Sequence, residues 1–338
     1  MSKRSLFWGQ ASGKLGEAVF YRAGGEQRTR AYVKAVKNPK TLAQMMQRIT
    51  MGNLVSMYSA LKPILSQSFP VRNTNRSAFN EFVSANKGAQ SYAVTKDDVQ
   101  NRFFWPVNLT ISRGNLNIPT GLKFVPAEDD GDGGMAYPYA EWPFLNQAVS
   151  AKSLGIDVTD YIGESAEDMK YRKLTPFELY KLMTANGNPY GLPNKFIVTS
   201  YVGALDAGTV VDEPANGLMS ASYVQYICSE IESECQVLKV GNELLCDLAK
   251  IAVCYSEVTS DGTDVSISSI MVGYGLKFTQ MAMGVIVSCK QDSVLKVTTS
   301  KVYGDSSLAS TTASCLPGGE NYNIALNDYG YNPDSILS

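Results

Sequence analysis

Histidine is absent from all 338 residues of the chain. Without it no Ser-His or Cys-His nucleophile pair can form, and the ordinary His-containing zinc sites are excluded. Cysteine is missing from the N-terminal two thirds; Cys228, Cys235, Cys246, Cys254, Cys289 and Cys315 form no Cys-x-x-Cys pair and give no zinc spacing. No apolar run reaches the ~18 residues of a membrane span, and no secretory apolar core follows the start. These absences predict a soluble chain made in the cytosol, with no membrane partner and with reduced, mostly buried thiols, disulfides being the lesser alternative.

Charge is sparse as well, at 18% against 44% apolar residues, the balance of a folded chain rather than a disordered one. At this length one large domain or two can be buried, and the charge distribution favours two. The formal net charge of −2 hides a polarity: residues 1–88 carry +11 and the rest −13. Such asymmetry points to a first part that meets a polyanion or an acidic protein surface. The expected division is a basic hairpin-plus-helices region over 1–104 and an acidic, β-rich α+β domain over 105–338.

From Leu15 the stretch "EAVFYRAGGEQRTRAYV" alternates with the period of a strand, and Gly24-Gly25 supplies a two-residue hairpin turn. Strands are expected at about 17–23 and 26–34, with Tyr21 opposite Arg28 and Val19 opposite Arg30 on one face. The other face would carry Phe20, Arg22, Thr29, Ala31 and Val33. Thr41 and Gln44 form a Thr-x-x-Gln capping box opening a helix that Pro63 ends or kinks; a second helix is expected near 77–86 and a further turn at 94–101. Beyond Trp105 two short strands are expected around Arg113-Gly114-Asn115, a polar loop at 128–134, and a helix capped by Thr175 and Glu178 with Gly187 at its end. Strand-like runs follow at 196–202, 265–270, 276–288 and 294–302, while 222–235 and 243–256 are ambiguous between helix and strand. The tail after about Asp305, rich in Ser, Gly, Asn and Tyr, reads as loop. The fold class is therefore α+β: a basic N-terminal β-hairpin and helices, then a mainly antiparallel β-rich domain with a few helices.

Gly9, Gly13, Lys14 and Gly16 in "WGQASGKLGEAVFYR" raise the question of a phosphate-cradling loop. The spacing is one residue short, Leu15 stands where Ser or Thr would hold magnesium, and a strand follows instead of a helix. The glycines then serve a tight turn or bulge into the first strand. Lys14, Arg22, Arg28, Arg30, Lys34 and Lys37, interleaved with Tyr21 and other aromatic residues, can form a nucleic-acid surface, with the cations neutralising phosphate and Tyr21 stacking on a base. Against this stands the use of charged edge strands to prevent aggregation. The acidic loop Glu128, Asp130, Asp132 lacks a twelfth-position Glu for calcium, Ser165 in "GESAEDM" has no histidine to activate it, and no carboxylate pair is singled out. No catalytic residue, metal site or cofactor is assigned, and the chain is expected not to be an enzyme. Met45, Met46, Met51 and Met57 are read as helix core, with an adaptable protein-binding stripe as the alternative.

The assembly "SGKLGEAVFYRAGGEQRTRAYVKAVKNPKTLAQMMQR" resembles a family of uncharacterised proteins encoded by phages and prophages of gut Bacteroidetes, including small single-stranded DNA phages. The resemblance rests on Ser12, Gly13, Lys14, Gly16, Asn38, Pro39, Thr41, Gln44 and Arg48, and extends to "LTISRGNL" and "GVIVSCKQDSVLKVTTSKV". It implies a viral setting, in the virion or the cytoplasm of an infected bacterium, and brings no catalytic residue. The expected role is a non-enzymatic virion or assembly protein whose basic N-terminal surface contacts nucleic acid, with itself or other phage proteins as further partners. The alternative is a structural subunit that docks into a homo-oligomer without binding nucleic acid.

Overall fold

The computed structural model describes residues 13–23, 26–34, 40–70, 76–125, 139–142, 171–173, 175–206, 220–241, 255–258, 265–270, 278–304 and 313–331. Three strands come first, β1 (Gly13–Leu15), β2 (Ala18–Ala23) and β3 (Glu26–Ala31), then helices α1 (Leu42–Ala60), α2 (Lys62–Leu65), α3 (Ala78–Ala85) and α4 (Lys96–Gln100). Strands β4 (Thr110–Ser112), β5 (Lys123–Val125), β6 (Tyr139–Glu141) and β7 (Tyr171–Lys173) lead to α5 (Pro176–Thr184). The remainder is β8 (Lys195–Asp206), β9 (Ser220–Ser229), β10 (Gln236–Gly241), β11 (Tyr255–Val258), β12 (Val265–Ile270), β13 (Phe278–Gln291), β14 (Val294–Val297), β15 (Ser300–Lys301), β16 (Tyr303–Gly304) and α6 (Glu320–Asp328). The chain is α+β, and its strand ladders are antiparallel: β10-β9-β8-β13-β14 with β16 beside β13, and a second sheet β5-β6-β12-β11-β7.

Side-chain composition sets the helix boundaries. Thr41, Ser77, Thr95 and Thr175 each accept a bond from the third backbone N–H of their helix, satisfying a donor the first turn leaves without a partner. The Thr175/Glu178 box closes in both directions, as its spacing predicts. The Thr41/Gln44 box closes only halfway: Thr41 caps the Gln44 N–H, but Gln44 Oε1 is buried without a hydrogen-bond partner, so its side chain is not spent on the Thr41 backbone. Pro63 starts the short α2 after α1 stops at Ala60, because its ring cannot continue the α1 ladder.

One core joins the two ends of the sequence. Leu54, Met57, Leu61 and Leu65 from α1 and its exit, with Phe82 of α3 and Trp105, pack against Tyr201 of β8, Tyr223 of β9 and Ala282 and Ile286 of β13. The expected division at 104/105 therefore runs through a shared core. Alternation along β8 turns Phe196 and Val198 to the opposite face, where Tyr180 of α5 stacks on Phe196 at 5.7 Å. Each such large apolar side chain taken from water contributes roughly 1.5–3 kcal/mol, so the helices and the sheet stabilise one another.

Three expectations are corrected. Of the two short strands expected around Arg113-Gly114-Asn115, the first is β4 and the second is only an isolated bridge, Leu116 to Thr298; β4 pairs not with that neighbour but with the distant β15, at Lys301↔Thr110. Gly114 permits that close approach: it lies against the Val297 carbonyl, where no side chain fits. The tail is not loop throughout: a 3₁₀ turn (Ala313–Cys315) and α6 bury Cys315, Tyr322, Ala325 and Leu326 against Met45 and Ile49 of α1. The Gly13–Leu15 stretch, expected as a turn or bulge, is a third strand of the ribbon. Of the ambiguous segments, 220–229 is strand and 255–258 is strand. The 128–134 loop, Ser165 and all of 243–254 lie outside the described residues. Cys228, Cys289 and Cys315 are buried thiols and Cys235 is half-buried. Met45 and Met57 are fully buried and Met51 is exposed. Among the described residues no helix is long and apolar enough to cross a membrane.

Candidate nucleic-acid interface

The basic N-terminus folds as a three-stranded antiparallel ribbon, β1-β2-β3. Its first connection is two residues, Gly16-Glu17, between the pair Leu15↔Ala18. Gly16 has φ +58° and Glu17 does not share the positive region, the requirement of a turn with glycine at its first central position. The second connection is also two residues: Gly24 and Gly25 lie outside the described residues, but Ala23 pairs with Glu26 on either side of them. Tyr32 extends the ladder by donating its N–H to the Glu17 carbonyl at 2.6 Å.

The register puts Tyr21 opposite Arg28 and Val19 opposite Arg30, as the alternation predicts, and adds Lys14 opposite Val19. Lys14, Arg28 and Arg30 therefore share one face with Tyr21 and Tyr32. Arg28 and Arg30 are about 7 Å apart along β3, and Lys14 lies two strands, about 10 Å, across from Arg30. No cation stands directly opposite another, since the intervening positions are Val19 and Tyr21, and this keeps repulsion low. Lys14 Nζ sits 3.6 Å from the centroid of the Tyr32 ring, and the Arg30 guanidinium lies 5.9 Å from that of Tyr21. Such contacts are worth about 0.5–1 kcal/mol at exposed sites, enough to orient the side chains without neutralising them.

All six residues of β3 are exposed. The ion pair on this face, Arg28 with Glu26, is 3.9 Å long between side chains 56% and 78% exposed. A pair of that length and exposure is worth close to nothing, and it leaves the guanidinium open to a second anion. Among the described residues no carboxylate forms an ion pair with Lys14, Arg22 or Arg30.

Arg22 pairs with Gln27 and belongs to the opposite face with Phe20 and Thr29, so the structure does not gather it with the other cations. Lys34 is exposed at the ribbon's exit, and Lys37 lies outside the described residues. Sequence reading missed the contribution of β1, which brings Lys14 beside Tyr32; the signal was present in Gly16, whose single left-handed residue between Leu15 and Ala18 reverses the chain. Among the described residues no group of three or more His, Cys, Asp or Glu side chains is placed to hold a metal ion. Of the carboxylate pairs in the sequence, Glu230 and Glu232 are exposed on the turn after β9, while Asp129/Asp130 and Glu167/Asp168 lie outside the described residues. No protein-family model, no curated protein and no solved structure matches the chain.

Proposed function

We propose that this is a non-enzymatic, phage-encoded virion or assembly protein whose ribbon is a cationic arm for nucleic acid. The supporting observation is the Lys14, Tyr21, Arg28, Arg30 and Tyr32 face, in which weakly compensated cations alternate with aromatic rings on a ribbon whose β1 and β3 are exposed throughout. Cations at spacings of about 7–10 Å can each take a phosphate, releasing condensed counterions, while Tyr21 offers a π-face to a base. The resemblance of the first fifty residues to phage proteins sets the context, in the particle or in the cytoplasm of the infected bacterium. The helix-and-sheet body carries the excess of carboxylates, which favours solubility, while the ribbon's strands contact chiefly one another.

The test is fluorescence anisotropy with a labelled single-stranded oligonucleotide. Arg28→Ala/Arg30→Ala is expected to weaken binding, and Tyr21→Ala to weaken it further without changing its salt dependence. Equal affinity in the wild type and the double variant would remove the assignment.

A second reading, that the ribbon docks into a protein, draws on Leu15 and Val33, which are 54% and 62% exposed. Two or three strands without a covered apolar face are marginal alone, and a partner surface would stabilise them.

A further inference from the structure

Twelve large hydrophobic side chains are exposed among the described residues, and seven of them lie at two places. Leu15, Tyr21, Tyr32 and Val33 are on the ribbon and its exit; Ile231, Val237 and Leu238 are on the hairpin that joins β9 to β10. The first place is basic and the second acidic. Glu230 and Glu232 are exposed beside Ile231, at the 3₁₀ turn (Glu232–Glu234). Glu234 is already engaged, with Lys195 Nζ 3.0 Å from its Oε2, so the carboxylates left to meet a partner there are those of Glu230 and Glu232.

We propose that the β9–β10 corner, formed by Glu230, Ile231, Glu232, Val237 and Leu238, receives the cationic ribbon of a second copy of this chain. The ribbon's strands contact chiefly one another, so its cation face is available to a neighbour. The fit is one of charge and of surface type together. Arg28 and Arg30 meet Glu230 and Glu232, while the Tyr21 and Tyr32 rings and the stem of Lys14 cover the three aliphatic side chains. The opposed charges of the two regions, +11 over residues 1–88 and −13 over the rest, steer the same approach at longer range.

β10 ends its sheet, but its register shifts between Val237 and Lys239, leaving Leu238 as the extra residue of a bulge. A bulge interrupts the row of backbone donors and acceptors that strand addition needs, so the contact runs through side chains. Ribbon and corner are different surfaces, so the contact is either reciprocal within a two-fold pair or head to tail in a ring or filament. The inference deepens the nucleic-acid reading, on which it rests for one consequence: a ribbon held by a neighbour is withheld from nucleic acid.

Sedimentation of the full chain, freed of nucleic acid, tests it. The wild type is expected to associate at low salt and dissociate at high salt. Glu230→Lys/Glu232→Lys is expected to weaken association on the order of tenfold, as is Arg28→Glu/Arg30→Glu, while an equal mixture of the two variants recovers it by joining an intact ribbon to an intact corner. Ile231→Ser weakens association with no change of charge. A wild type that stays monomeric at every concentration and salt, or a corner reversal that leaves association unaltered, overturns the proposal. Oligonucleotide binding separates the two readings: the corner variant, whose ribbon is intact, keeps it if the ribbon binds nucleic acid, whether or not association is lost.

Discussion

Asn53 pairs with both backbone polar groups of Trp105. Its Nδ2 donates to the Trp105 carbonyl at 2.9 Å, and its Oδ1 accepts the Trp105 N–H at 2.7 Å. Asn86 does the same with Thr110, at 2.9 and 2.7 Å. Two helices are thereby stitched, amide to peptide, to the stretch that carries the chain from the helices into the sheet. Ser56 adds a bond from its hydroxyl to the Phe103 carbonyl.

The expected outcome of Asn53→Ala is a loss of about 2–5 kcal/mol, because a buried N–H and a buried C=O both lose their partner. Asn53→Asp keeps the acceptor for the Trp105 N–H but sets a carboxylate oxygen against the Trp105 carbonyl, and is expected to cost as much. Urea unfolding midpoints measure both. A change within a few tenths of a kcal/mol would mean that the pairing contributes nothing.

At Gly114, a Cβ would stand 2.0 Å from the Val297 carbonyl oxygen and 2.7 Å from its carbon, both backbone atoms that cannot swing aside. Gly114→Ala is expected to destabilise by about 1–3 kcal/mol, the range of an overpacking change, with the β4–β15 pairing the first to open. Amide exchange at Val302, whose N–H bonds to the Leu109 carbonyl, reads that opening directly.

Burial raises the Tyr201 phenol well above its ordinary value, and its hydroxyl has no hydrogen-bond partner among the described residues. Tyr201→Phe removes a buried polar group and keeps the ring, so a gain of about 1 kcal/mol is expected. Loss of stability in a thermal melt would reveal a partner for that hydroxyl.

The Lys195 ammonium, bonded to Glu234, holds its carboxyl below the usual glutamate range. The folded pKa is depressed, so this contact stabilises the fold above the ordinary glutamate pKa, near 4.5, and the contribution is lost as pH falls through the lower folded value. Lys195→Ala is expected to return Glu234 toward its ordinary titration, followed by NMR of the side-chain carboxyl.

Features set by neighbouring residues were legible in the sequence. The strand register from Tyr21 to Arg28 follows from alternation around a two-residue turn, and the Thr175 box follows from chemistry three residues apart. Features set by distant packing were not. Thr110 meets Lys301 and α6 meets α1 because apolar faces need cover, and nothing local names the partner. The tail carried one usable signal, Tyr322, Ala325 and Leu326 on one helical face after Gly319, masked by its Ser, Asn and Gly content. At the ribbon the cations were legible one by one. Their grouping depended on β1, whose three residues with a glycine are too short to show a period.

The cation face of the ribbon is tested most directly by the slope of oligonucleotide affinity against salt. On single strands each phosphate neutralised contributes about 0.7 to the slope of log K against log salt. Arg28→Ala/Arg30→Ala is therefore expected to flatten it by about 1.4, while Arg22→Ala, on the opposite face, leaves both slope and affinity near those of the wild type. An unchanged slope in the double variant, or an equal loss from Arg22→Ala, would contradict a one-faced cationic arm.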